Sequence, residues 1–243
     1  MKFKDVNCGY YFSRRSGQYA GTWNEVKEIA KKNNIIRSAV QNLDFVSATV
    51  HEANQDTINH CAESGDIPVI RLLPPAFAFE SYTKEEIIAF INNGAIFRIH
   101  PKLDASPVTC WMFDWMLKVL EDSAVPLLVS LQEAELRDLA EVKRSYPALK
   151  LLITNTTQWM NRQYIRFLLS FSDVFIDTSN IIEYYGLESI VDIIGAERIL
   201  FGTYMPEKEP YDKVFQMLHN DLSPEQNQLI AFGNFERIIE RNK

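Results

Sequence analysis

The side chains best suited to chemistry in this chain fall where apolar runs give way to polar residues. Arg98 and His100 close one such run, directly before Pro101. They share a parity along an extended segment, so both point to one face. Such a pair suits an anionic substrate: a guanidinium clamps a carboxylate through paired N–H groups, and an imidazole moves a proton near neutral pH. The alternative is structural, with Arg98 in an internal ion pair with Asp5 or Asp177 and His100 a satisfied histidine before a proline. Asp177 ends another run. It is either a general base, which needs a raised pKa, or a cap to the following turn through Thr178 and Ser179. Tyr204 adds a phenol at the end of the run that starts at Ile199. Arg71 closes a further run, and either reaches the same place or faces a helix or solvent. Asn7, Ser130 and Asn155 supply neutral hydrogen-bonding groups at three more run ends.

Elements that could bring these residues together are legible in the pattern. Short apolar runs at residues 3–8, 45–50, 68–73, 95–100, 126–131, 149–153, 174–176 and 199–201 read as buried strands. Helical stretches lie between them. Thr22 and Glu25 form a capping box for a helix that ends near residues 33–34. Gly65 closes a helix over residues 53–64, and Gly195 one over residues 187–194. Further helices are expected from residue 81 to about 92, and over residues 111–120, 133–145, about 159–169 and 211–218. Ser223 and Pro224 open the last, over residues 224–241, as N-cap and first turn. Eight strands alternating with helices, and no linker, predict one domain over residues 1–243, a closed (β/α)8 TIM barrel. In that fold the loops at the carboxyl ends of the strands build the site. Residues 7–9, 49–51, 71–74, 98–100, 130–132, 154–156, 177–180 and 203–204 should therefore share one rim.

Composition narrows the partners. The net charge of −7 argues against a nucleic acid or an anionic membrane face. No apolar run approaches the ~20 residues that span a bilayer. Cys8, Cys61 and Cys110 are far apart, which favours reduced thiols and a cytoplasmic location. A charged residue follows the initial methionine immediately, so no signal peptide is expected. Cys8 reads as a packed thiol, and His51, His60 and His219 as surface or core histidines. Trp111, Phe113 and Trp115 pack either against the barrel or in a subunit interface, which allows a homo-oligomer.

The phrases Asp5-Val6-Asn7-Cys8-Gly9, Ile99-His100-Pro101, Pro126-Leu127-Leu128-Val129-Ser130, Leu151-Leu152-Ile153-Thr154-Asn155, Asp177-Thr178-Ser179 and Phe201-Gly202-Thr203-Tyr204, in this order, resemble the amidohydrolase superfamily. The nearest likeness is to its amidohydrolase-related group of decarboxylases and lactonases of small acids. The closing Ala231-Phe232-Gly233-Asn234-Phe235 is similar to that group's last helix. The resemblance implies a (β/α)8 barrel holding one or two divalent metals. It implies ligands from a His-x-His pair on strand one, histidines ending strands five and six, and an aspartate after strand eight. At the matching positions this chain has Asn7 and Gly9, Ser130, Asn155 and Tyr204. Neutral amide and hydroxyl oxygens are weak donors to a transition metal, and a phenol is protonated at neutral pH. The expectation is a barrel without the metal set and without other cofactors, binding a small anionic or polar molecule through Asn7, Arg71, Arg98, Ser130 and Asn155. The alternatives are a metal-independent hydrolase or decarboxylase working with His100, Asp177 and Tyr204, and a non-catalytic interaction protein.

Overall fold

Eight parallel strands follow one another around the sheet in chain order: β1 Phe3–Tyr10, β2 Ile35–Asn42, β3 Ile67–Arg71, β4 Ile96–Ile99, β5 Leu127–Ser130, β6 Leu151–Thr154, β7 Val174–Asp177 and β8 Ile199–Leu200. The computed structural model describes residues 1–13, 21–45, 47–156 and 161–240. Between β8 and β1 the sheet closes through backbone hydrogen bonds. Val6 N–H reaches Phe201 O at 2.9 Å, Tyr204 N–H reaches Asn7 O at 2.8 Å, and Gly9 N–H reaches Met205 O at 2.7 Å. The (β/α)8 barrel read from the sequence is thus the fold observed. β4 to β7 are buried along their whole length, as parallel strands covered on both faces must be.

Helices α1 Trp23–Lys32, α2 Val50–Ser64, α3 Lys84–Asn92, α4 Cys110–Asp122, α5 Leu136–Ser145, α6 Arg162–Ser170, α7 Gly186–Ile194 and α8 Tyr211–Leu218 form the outer layer. One local device starts several of them. The Glu25 carboxylate accepts from Thr22 N–H and hydroxyl, and Thr49–Glu52, Thr83–Glu86 and Ser223–Gln226 make the same reciprocal box. Each box satisfies N–H groups that a helix start leaves open. The closing segment runs α9 Pro224–Gln228, a wider π-turn Leu229–Gly233, then α10 Asn234–Ile238. Asn234 in it donates to Ala196 O and Ile199 O, both at 2.7 Å, and so ties this segment to the start of β8.

One strand lies elsewhere than expected. Residues 45–50 are not β2: the described part is a loop that runs into α2, and Val46 is outside the described residues. Thr49 caps α2 and His51 lies in its first turn, so residues 49–51 do not end a strand. The true β2 begins directly after α1, once Asn34 takes a left-handed turn at φ 56°. Its outer end is polar, and Gln41 and Asn42 are buried there. Residues 159–160 and 241 of the expected helices also lie outside the described residues.

Gly202 sits where β8 passes Asp177. A Cβ at this position would lie 2.7 Å from Asp177 Oδ2 and 2.9 Å from its Cβ. Gly202→Ala is therefore expected to cost ~3 kcal/mol or more in urea unfolding, since neither backbone has room to retreat. Gly65→Ala is the control. Its site at φ 78° has nothing within 4 Å, so only the left-handed backbone is penalised, by ~1 kcal/mol. Equal costs would show that the contact with Asp177 does not constrain residue 202.

Candidate functional site

Side chains from strands that are not neighbours meet inside the barrel. Asn7 of β1 donates through Nδ2 to Asp177 Oδ2 at 2.8 Å and to Asn155 Oδ1 at 3.2 Å. Its Oδ1 accepts from Arg98 Nη2 at 2.8 Å. β1, β4 and β7 are separated around the sheet, so these bonds cross the interior. Asp177 is completed by neutral donors, Ser179 hydroxyl at 2.9 Å and Asn155 N–H at 3.2 Å, both on Oδ1. Below it Asp5 accepts from Asn7 N–H at 2.9 Å, Thr203 N–H at 3.1 Å and Thr203 hydroxyl at 2.5 Å. Both carboxylates are fully buried. Burial raises the pKa of each, that of Asp5 to about 6, against the pull of their hydrogen bonds.

Above this floor opens a cavity of about 630 Å³, lined by Arg98, His100, Ser130, Glu133, Asn155 and Tyr204 among others. Arg98 is 5% exposed. No carboxylate oxygen lies within ion-pairing distance of it among the described residues, and its Nε has no partner. Among the described residues its one hydrogen bond is to Asn7. Burial pulls the guanidinium pKa below its ordinary range, and Asp177 and Glu133 oppose that pull from a distance. Such a group remains a cation.

His100 stands beside Arg98 with both ring nitrogens engaged, Nδ1 to Glu133 Oε1 and Nε2 to the Gln41 amide, each at 3.1 Å. Phe45 packs on the ring at 4.7 Å. Burial pulls the imidazole pKa down, although Glu133 acts in the opposite sense. A neutral ring donates from one nitrogen only. With Nδ1–H donating to Glu133, Nε2 is an acceptor, and the Gln41 amide meets it best by presenting N–H. That orientation also uses an amide nitrogen that otherwise has no partner.

Two further rim residues sit on unusual backbone. Asn155 has φ 49° and Tyr204 φ 62°. Asparagine tolerates the left-handed region, whereas a bulky tyrosine rarely enters it. In return Tyr204 N–H reaches Asn7 O, and its ring leans over the cavity. Burial raises its phenol pKa, so it is a hydrogen-bond donor at neutral pH.

The structure thus gathers Asn7, Arg98, His100, Ser130, Asn155 and Tyr204 at one mouth. Asp177 lies under Asn7 and does not line the cavity. Arg71 is elsewhere: it pairs with Asp104 beneath the Phe45 ring, 4.5 Å from its centroid, beside a neighbouring hollow. Cys8 is a buried thiol whose pKa burial raises. His51 packs on Tyr82, His60 on Trp23 and His219 on Phe215. Phe113 is buried and Trp115 leans on the core, which leaves Trp111 exposed. Sequence reasoning missed Glu133 and Gln41. Glu133 reads as the start of a charged helix, but α5 begins later, and Glu133 turns back with its N–H on Ser130 O at 3.0 Å. Gln41 belongs to the strand that was misplaced.

This is the fold and mouth of a (β/α)8 barrel with its site at the carboxyl ends of the strands. No protein-family model and no curated protein matches the chain. Solved structures do. 2,6-Dihydroxybenzoate decarboxylase from Rhizobium has 12% identity, covers all of both chains and gives a TM-score of 0.75. 5-Carboxyvanillate decarboxylase from Novosphingobium aromaticivorans, solved with bound manganese, has 12% identity over 98% of this chain and 97% of its own, at a TM-score of 0.75. Amidohydrolase 2 from Bifidobacterium longum subsp. infantis has 13% identity over 99% and 100%, at 0.66. These neighbours are amidohydrolase-superfamily proteins, and the chain shares their fold.

The buried carboxyl of Asp5 yields a pH signature. Its pKa rises on folding from about 4 to about 6, so the folded state binds the extra proton between those values. Stability contributed by this group is full below pH ~4 and is lost as pH rises to ~6, on the order of 3 kcal/mol. Asp177 acts in the same direction. Thermal unfolding between pH 4 and 6.5 should show a fall in wild type that Asp5→Asn flattens. Identical slopes in the two proteins would mean Asp5 is ionised in the fold across this range.

Proposed function

We propose that this barrel binds a small organic anion at its mouth, without a divalent metal, and that Arg98 is the cation that receives it. One observation carries the reading: a buried guanidinium lines the cavity with no carboxylate partner among the described residues. Burying a cation without a counter-ion is costly, and a ligand carboxylate of the right size offsets that cost through charge-assisted hydrogen bonds. Asn155, Ser130 and Tyr204 add neutral polar contacts around it. Phe45, Leu43 and Leu103 offer apolar wall for the rest of a small molecule. Two of the structural neighbours are named as decarboxylases of carboxylated aromatic compounds, which agrees with an acid as ligand.

The donor set does not fit a divalent metal. Asn7, Ser130, Asn155 and Tyr204 are neutral, and no three His, Cys, Asp or Glu side chains converge among the described residues. Arg98 already brings positive charge to Asn7 Oδ1. A divalent ion about 5 Å from a guanidinium is repelled by roughly 7 kcal/mol at an effective dielectric of ~20.

A second reading, acid–base catalysis on a small acid or lactone, is favoured by the His100–Glu133 pair. Glu133 orients the ring, and a substrate that displaces the Gln41 amide would meet Nε2. Turnover of lactones or aromatic acids that is lost in His100→Ala and reduced in Glu133→Gln would support it.

Calorimetric titration with formate, acetate and benzoate tests the first reading. Wild type should bind at least one of them, and Arg98→Gln should weaken that binding by tenfold or more, about 1.4 kcal/mol. Elemental analysis of protein produced with added zinc and manganese should find neither at stoichiometric level. Unchanged binding in Arg98→Gln, or a bound metal at one per chain, overturns the proposal.

A further inference from the structure

We infer that Asn7 keeps the charge of Arg98 available to a ligand by standing, as a neutral amide, between the guanidinium and the buried carboxylate of Asp177. This rests on the anion-binding reading and assigns one residue the task of making it possible. The two ends of the Asn7 amide do opposite things. Its oxygen accepts from Arg98 Nη2 at 2.8 Å, and its nitrogen donates to Asp177 Oδ2 at 2.8 Å. The amide cannot be reversed, because that would set N–H against guanidinium and oxygen against carboxylate. Nor can the residue swing away. Its N–H is held by Asp5 Oδ1 at 2.9 Å and its carbonyl by Tyr204 N–H at 2.8 Å.

A guanidinium and a carboxylate inside a low-dielectric barrel attract strongly, and direct contact would be bidentate and self-neutralising. Here the contact is prevented. Asp177 is surrounded instead by the Asn7 amide, the Ser179 hydroxyl and the Asn155 N–H, all uncharged. Arg98 in turn has its single hydrogen bond among the described residues to a neutral oxygen, and lines the cavity. The two ions are thus solvated separately by fixed dipoles. Arg98 has one of its five N–H donors satisfied by Asn7, and the guanidinium lines the cavity.

Asn7→Asp alters this with almost no change of shape. The new carboxylate lies directly on Arg98 and pairs with it, while its second oxygen faces Asp177 and the two share a proton. The cation is then spent inside the protein. Asn7→Ala reaches a similar end by another path: the side chain that separates the two ions is removed, and the guanidinium closes on Asp177. Both variants should keep the fold, judged by circular dichroism, and bind formate or benzoate at least tenfold more weakly than wild type.

A second measurement does not depend on any ligand. Nitrogen NMR of the arginine side chains reports whether a guanidinium is locked in a bidentate ion pair. Arg98 should rotate freely about its terminal bonds in wild type and be locked in Asn7→Asp. If wild type binds no anion but Arg98 is unlocked there and locked in Asn7→Asp, the ligand reading fails and the spacer role stands. If wild type binds through Arg98 and Asn7→Asp binds equally well, the spacer role fails and the ligand reading stands. An Arg98 already locked in wild type also overturns the spacer role. Should Asn7→Asp not fold, Asn7→Ala decides by the same two readouts.

Discussion

The arrangement depends on one constraint: two carboxylates and one guanidinium are buried in the same barrel without touching. Asp5 and Asp177 are fully buried, and Arg98 nearly so. An isolated buried ion is costly, and the usual remedy is a direct pair. This barrel uses dipoles instead. Asp5 has three donors from Asn7 and Thr203, and Asp177 has Asn7, Ser179 and the Asn155 backbone. The raised pKa values show that these donors do not fully replace water.

The backbone at the rim is shaped to supply those dipoles. Asn155 turns into the left-handed region as β6 ends, and its N–H then faces Asp177 instead of continuing a ladder. Tyr204 does likewise after β8, which brings its N–H onto Asn7 O and helps close the barrel. For a tyrosine this conformation costs on the order of 1–3 kcal/mol. Gly202 is needed just before it because Asp177 fills the space a Cβ would take. Thr178 binds the same glycine twice, donating to Gly202 O at 2.9 Å and accepting from its N–H at 3.0 Å. Closure of the sheet and construction of the site are therefore one set of bonds.

Most of this architecture could be read from the chain, for identifiable reasons. Strands β3 to β8 are short β-branched and leucine runs bounded by Gly, Pro or helix caps, and such signals are local. The shared parity of Arg98 on β4 and His100 directly after it follows from extended-chain geometry alone. β2 was misread because Arg37, Ser38 and Gln41 break its apolar run, while residues 45–50 look more continuous. What decides the strand is its position directly after α1, between β1 and β3, and that is a tertiary fact. Arg71 had the right position at a strand end but the wrong partner. Asp104 comes from the loop after β4, and no local signal announces that pairing. Glu133 failed for a related reason, since a charged residue before a helix reads as its solvated first turn until the loop is seen folding over the mouth.

A guanidinium and a metal ion are not equivalent at the centre of such a barrel. Both attract anions, but a bound metal also acidifies water and polarises a carbonyl as a Lewis acid. A guanidinium offers directed N–H donors and no coordination site. With Arg98 as the charge in the cavity, the proposed anion binding rests on directed N–H groups, and the proton transfer of the second proposed reading falls to side chains. The rim holds one oriented pair for that purpose, His100 with Glu133, and its Nε2 is covered by Gln41. The ring is neutral because burial outweighs the nearby carboxylate, so it is in the protonation state a base requires. Between the two proposed readings, what differs is the place of the Gln41 amide. A ligand that leaves it in place is held, and one that moves it aside meets an imidazole able to take a proton.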